Sequence, residues 1–150
     1  MQELVKELLE LLSRTSFSKE QMQHYVNRLD ESFKWEGVPY VEIEEEHYIV
    51  TIYERGVPFL TKKLNQKEEV LYWLLEDMIF TAVHVEMLNK YGVDNMHTHL
   101  DYSSEEVKQE MNENIQTAFV MIGDPYLTWH QKGKRKELES YQPKKGKLER

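Results

Sequence analysis

Cysteine is absent from the 150 residues, which excludes a disulfide framework, a thiolate zinc site and a cysteine nucleophile together. Glycine is scarce, and its six copies are scattered, so no Gly-rich turn between strand and helix can cradle a phosphate. No serine sits in a nucleophile elbow and no His-Glu-x-x-His helix occurs, which removes the hydrolase classes that carry those marks. Long apolar runs are missing as well. The opening MQELVKELLELLSR has a charge on every turn, so neither a secretory signal nor a membrane span is expected. A cytoplasmic, reducing setting is the expectation.

Positive charge is in short supply through most of the chain. Residues 1–131 hold 24 Asp plus Glu against 11 Lys plus Arg, a net of −13, whereas residues 132–150 hold 8 Lys plus Arg against 3 acids, a net of +5. An acidic body is a poor ligand for polyanions and a plausible one for basic surfaces, so no direct nucleic-acid contact is expected. The basic end around Lys144, Lys145 and Lys147 reads as a solvated, frayed terminus. What is present is ample for one core, with 40% hydrophobic and 31% charged residues. The expectation is a single α+β domain over residues 1–143 and a basic tail over 144–150.

Leu4, Leu8 and Leu12 form the stripe of an amphipathic helix ending near Arg14. Ser18 and Gln21 have capping-box spacing, with Phe17 and Met22 placed as a hydrophobic staple, for a second helix that keeps its period to Phe33. From Tyr40 to Lys63 the period becomes two, and the breaks at Glu45-Glu46 and Arg55-Gly56-Val57 predict a three-stranded antiparallel meander. Asn65 is the expected N-cap of a long central helix, whose Val70, Leu71, Leu74, Leu75, Met78, Ile79, Ala82 and Val83 repeat in pairs. Val93 to Tyr102 reads as an irregular loop. Ser103 and Glu106 then open a helix that Gly123 ends, and Asp124-Pro125 opens a last helix with Gly133 as its weak point. The fold class is therefore α+β: N-terminal helices, the meander, then a C-terminal cluster of about three helices.

Chemistry is sparse. Asp94, His97, His99 and Asp101 are four donors within eight residues, and they keep open a small metal-dependent hydrolase. The main reading of that loop is a histidine-bearing surface, so neither a metal nor a cofactor is assigned. His84 and His130 read as packing or surface residues, and choosing Glu76 and Asp77 as an acid/base pair would be arbitrary. Charge density is less even. Between Glu36 and Glu54 there are six glutamates and no Lys or Arg. Glu42, Glu44, Glu45 and Glu46 lie around the first turn beside Tyr40 and Tyr48. Carboxylates mixed with tyrosines suit capture of an Arg/Lys-rich partner, with charge speeding encounter and aromatics anchoring it. The bland alternative is a wet sheet face. A generic regulatory module that self-associates through Trp35 or Trp129 also stays open.

The run Glu54-Arg55-Gly56, the polar Lys62-Lys63, and the helix start Glu69-Val70-Leu71-Tyr72-Trp73 resemble the Imm63-type bacterial immunity proteins encoded beside polymorphic toxins. Glu86, Trp129 and Tyr141-Gln142-Pro143 are similar to that family's further landmarks, so the resemblance spans roughly residues 40–143. After the central helix the family pattern has an Asp with paired arginines, where this chain reads Asp94 to Asp101. Any role of those arginines is left without a matching residue. The resemblance implies a non-enzymatic cytoplasmic protein that binds one toxin domain and blocks it. A basic nuclease cleft would suit the acidic body. Arg55, Gly56, Tyr72 and Trp73 also admit a structural reading, as turn and core residues.

Overall fold

The computed structural model describes residues 2–27, 40–91 and 105–140. The leucine stripe forms α1 (Gln2–Leu12), burying Leu4, Leu8, Leu11 and Leu12. In α2 (Lys19–Asn27), Met22 and Val26 are buried, and the Ser18 hydroxyl accepts from the Gln21 amide at 3.3 Å, the expected cap bond. The expected continuation to Phe33 lies outside the described residues.

The alternating segment folds as β1 (Tyr40–Glu44), β2 (His47–Glu54) and β3 (Val57–Leu64), an antiparallel sheet in the order β1-β2-β3. Both turns have two residues, closed by Glu44 opposite His47 and by Glu54 opposite Val57. Arg55 and Gly56 have φ of 54° and 77°. Two successive left-handed residues make a type I′ turn, whose twist matches that of the strands it joins. The period of two sends Val41, Val50 and Leu64 into the core and Glu42 and Lys63 outward. It also sends Lys62 inward, where it is 2% exposed opposite Val50. Proximity in sequence therefore gave Lys62 and Lys63 opposite environments.

The central helix α3 (Lys67–Lys90) is apolar on nearly every side of its first half, and Val70 through Leu75 are all buried. Such a helix has to be covered all round. Strands β2 and β3, helices α1 and α2, and the later helices surround it. Each fully buried Leu or Val there withdraws apolar surface worth about 1.5–3 kcal/mol from water. The expected N-cap is corrected. Gln66 occupies the cap position, with no side-chain cap bond, and Asn65 lies in the bend between β3 and the helix.

Helix α4 (Glu105–Ile122) packs back along α3 through Val107, Met111, Ile115, Ala118, Phe119 and Ile122. Ser103 lies outside the described residues. Gly123, at φ 94°, ends the helix as expected, and the Arg14 guanidinium donates to the Ile122 carbonyl at 2.7 Å, tying α1 to that helix end. The last helix is two: α5 (Tyr126–Gln131) and α6 (Lys134–Ser140), because Gly133 at φ 73° leaves the helical region. Pro125 holds the cap position of α5, and the Asp124 carboxylate still accepts from the Thr128 amide at 3.0 Å. The architecture is α+β, with four helices following the sheet among the described residues.

Candidate functional site

The acidic residues singled out in the sequence sit on the β1–β2 hairpin. Strand alternation puts Tyr40, Glu42 and Glu44 on the outer face with His47, Ile49, Thr51 and Tyr53. Glu45 and Glu46 form the exposed tip. The Tyr40 and Tyr53 rings meet edge to face with centroids 6.3 Å apart, in register with buried Thr51 between them. Tyr48 is on the opposite face, half-buried against the core. Tyr40 thus shares the outer face with Glu42 and Glu44 but starts β1, at the far end of the strand from the Glu45-Glu46 tip; Tyr48 lies on the inner face and Tyr53 on the outer one.

Among the described residues, His47 Nε2 lies 2.8 Å from Glu44 Oε1, and the cation Lys63 follows two strands away in the row Glu42, Ile49, Lys63. Exposed carboxylates are screened within about 8 Å at physiological salt. Their effect falls on encounter with a cationic partner more than on the energy of any one contact.

The family-motif residues divide in two. Glu54, Arg55 and Gly56 make the second hairpin turn, and Glu86 is exposed in the second half of α3, apart from the others. Tyr72, Trp73 and Trp129 converge where α5 and α6 meet α3. Tyr72 and Trp73 are fully buried. The Tyr72 ring stands edge-on to Trp129 at 5.7 Å, Arg135 lies 5.2 Å over Trp73, and Lys134 lies 4.8 Å over Trp129.

Acids that the sequence reading named without tying them to this cluster, Glu69, Glu76 and Asp77, complete it. The Tyr72 hydroxyl donates to Glu76 Oε2 at 2.5 Å and accepts from the Arg135 amide at 3.1 Å. His130 Nδ1 is 2.9 Å from the same Glu76 oxygen, and its ring stacks on Phe119 at 4.4 Å. Arg135 pairs with Asp77 at 2.8 Å and Lys134 with Glu69 at 3.3 Å. His130, read from sequence as packing or surface, is a satisfied, half-buried member of this network.

Burial first, and the Glu76 carboxylate second, push the Tyr72 phenol far above its ordinary range. It therefore stays protonated and donates, which makes it a structural hydrogen bond and a poor base or nucleophile. The network fastens α5 and α6 to α3. The signal available in the sequence was the run of acids at 69, 76 and 77 against the bases at 130, 134 and 135.

Asp94, His97, His99, Asp101 and Trp35 lie outside the described residues. Among the described ones no group of three His, Cys, Asp or Glu is placed to hold a metal, and no helix is long and apolar enough to cross a membrane.

Residues 44–109 match the model of the family described as Immunity protein 63. The match starts in the acidic hairpin and takes in the Arg55-Gly56 turn, all of α3 and the start of α4. Trp129 and residues 141–143 fall beyond it. No curated protein and no solved structure matches the chain.

Proposed function

We propose, from the match of residues 44–109 to the Imm63-type immunity proteins, that the chain binds a cognate toxin domain and neutralises it by covering the active site, without catalysis. The family match is the observation that carries this reading. The acidic hairpin supports the finer part of it. Glu42, Glu44, Glu45 and Glu46 offer a row of carboxylates to a basic cleft, and Tyr40 at the start of the same strand offers an aromatic anchor on the same outer face as Glu42 and Glu44. A nuclease is the toxin class whose cleft best fits that charge, and the cytoplasm is where the encounter would occur. The Tyr72–Glu76–His130 network supports the scaffold reading of the family motif, because its hydrogen bonds close on each other within the fold.

Co-expression with the toxin encoded by the adjacent gene tests the proposal. Cells should survive through a one-to-one complex. If the toxin kills cells that contain the folded protein as efficiently as cells that lack it, the proposal is wrong. Glu44→Lys with Glu46→Lys should slow association about tenfold at low salt, and an unchanged rate would move the contact off this hairpin.

A further inference from the structure

The two edges of the sheet are not equivalent. With Glu44 opposite His47 across a two-residue turn, the hydrogen-bonded pairs of the first hairpin are Glu44–His47, Glu42–Ile49 and Tyr40–Thr51. The N–H and C=O groups of Val41 and Ile43 therefore point away from β2, into an edge that no other strand covers among the described residues. The other edge is blunted. Its register sets Pro58 opposite Tyr53, a position facing outward with no N–H to offer, and a bulge at Ile52/Tyr53 breaks the ladder there. β1 has neither a proline nor a bulge.

Charge then selects what can pair with β1. Glu42 and Glu44 flank the open groups on the outer face, with Glu45 and Glu46 at the tip, and Ile43 presents a 48% exposed apolar side chain on the inner face. A second copy of β1 would bring like charges side by side, which opposes edge-to-edge pairing of the protein with itself. A strand with Lys or Arg on one face and apolar residues on the other satisfies both faces at once.

We propose that the β1 edge is the docking rail for such a strand. The toxin adds an extended segment of alternating basic and apolar residues to the sheet, bonded to the main chain of Val41 and Ile43. This deepens the toxin-binding reading above and rests on it.

Ile43→Pro removes the outward N–H and leaves the β1–β2 ladder intact, since Ile43 is not one of its hydrogen-bonded residues. Lys63→Pro on the opposite edge is the control. Against the toxin domain of the adjacent gene, Ile43→Pro should weaken binding at least tenfold while Lys63→Pro binds like the wild type. The Val41 and Ile43 amides of the unmodified protein should become protected from hydrogen exchange in the complex. Wild-type affinity of a folded Ile43→Pro variant, or no gain of protection at those two amides, overturns the proposal. If Ile43→Pro does not fold, the exchange result on the unmodified protein decides alone. A toxin that binds, responds to the Glu44/Glu46 reversal and leaves those amides unprotected would sink the strand-addition mode while sparing the immunity reading.

Discussion

Tyr72→Phe removes one oxygen atom from the centre of the α3–α5–α6 junction. The ring remains and still packs against Phe119 and Trp129, so no cavity of consequence opens. Three hydrogen bonds are lost: the 2.5 Å donation to the Glu76 carboxylate, the 3.1 Å acceptance from the Arg135 amide, and a long 3.4 Å contact to the Trp129 carbonyl that shares the same proton and adds little. A bond to a charged group is worth about 1.5–3 kcal/mol, and a buried amide left without an acceptor costs about 1–3 kcal/mol. Because Glu76 keeps His130 and water can reach part of the junction, the lower halves of those ranges apply. The expected loss is roughly 2.5–4 kcal/mol, a large share of the ~5–15 kcal/mol of a whole domain.

Urea titration followed by far-UV circular dichroism reads this directly, with an unchanged slope showing that the unfolded state is unaffected. Glu76→Gln in the same background should cost much less than in the wild type, because the two residues share one bond. A Tyr72→Phe variant within about 0.5 kcal/mol of the wild type, the range of an ordinary surface change, would refute the claim that this network fastens the C-terminal helices.

Four further outcomes follow from the same packing. Because burial raises the Tyr72 phenol in the folded state, the native protein keeps a proton that the unfolded chain releases near pH 10. Tyr72 therefore contributes its full stability below about pH 10 and loses it above, at about 1.4 kcal/mol per pH unit, so the alkaline unfolding slope should be shallower in Tyr72→Phe. Gly56→Ala meets no atom within 4 Å but sits at φ 77°, so it should cost about 1–2 kcal/mol through the backbone alone. Arg55→Asn at φ 54° should be neutral or stabilising by up to about 1 kcal/mol, measured in the same titration. Phe119→Ala, which empties the space between Tyr72 and His130, should cost about 3–5 kcal/mol and shift the His130 ring resonances in the NMR spectrum, since the stacked ring is gone.

Periodicity determined most of the fold. The fourfold leucine spacing of α1, the alternation from Tyr40 to Lys63 and the paired apolar positions of α3 each exclude any other local geometry, because side-chain direction repeats every 3.6 residues in a helix and every two in a strand. The acids of the first hairpin were legible for the same reason: nothing around them is apolar enough to bury them. Boundaries were less legible. Asn65 and Gln66 are adjacent and both polar, so spacing alone does not separate them, and the structure places Gln66 at the cap. Gly133 could have weakened one helix or separated two, and its left-handed φ is a tertiary outcome.

What the sequence by itself determined is a chain with an acidic body, an α+β order of elements and a hairpin crowded with carboxylates. The tertiary structure decided which distant charges meet. Glu76 lies 54 residues from His130 and Tyr72 63 residues from Arg135, and no local pattern can pair them, because their distance depends on how every element between them packs. The same holds for the open groups of Val41 and Ile43. Backbone hydrogen bonds run sideways to a neighbouring strand, so which edge is left unpaired is a property of the assembled sheet.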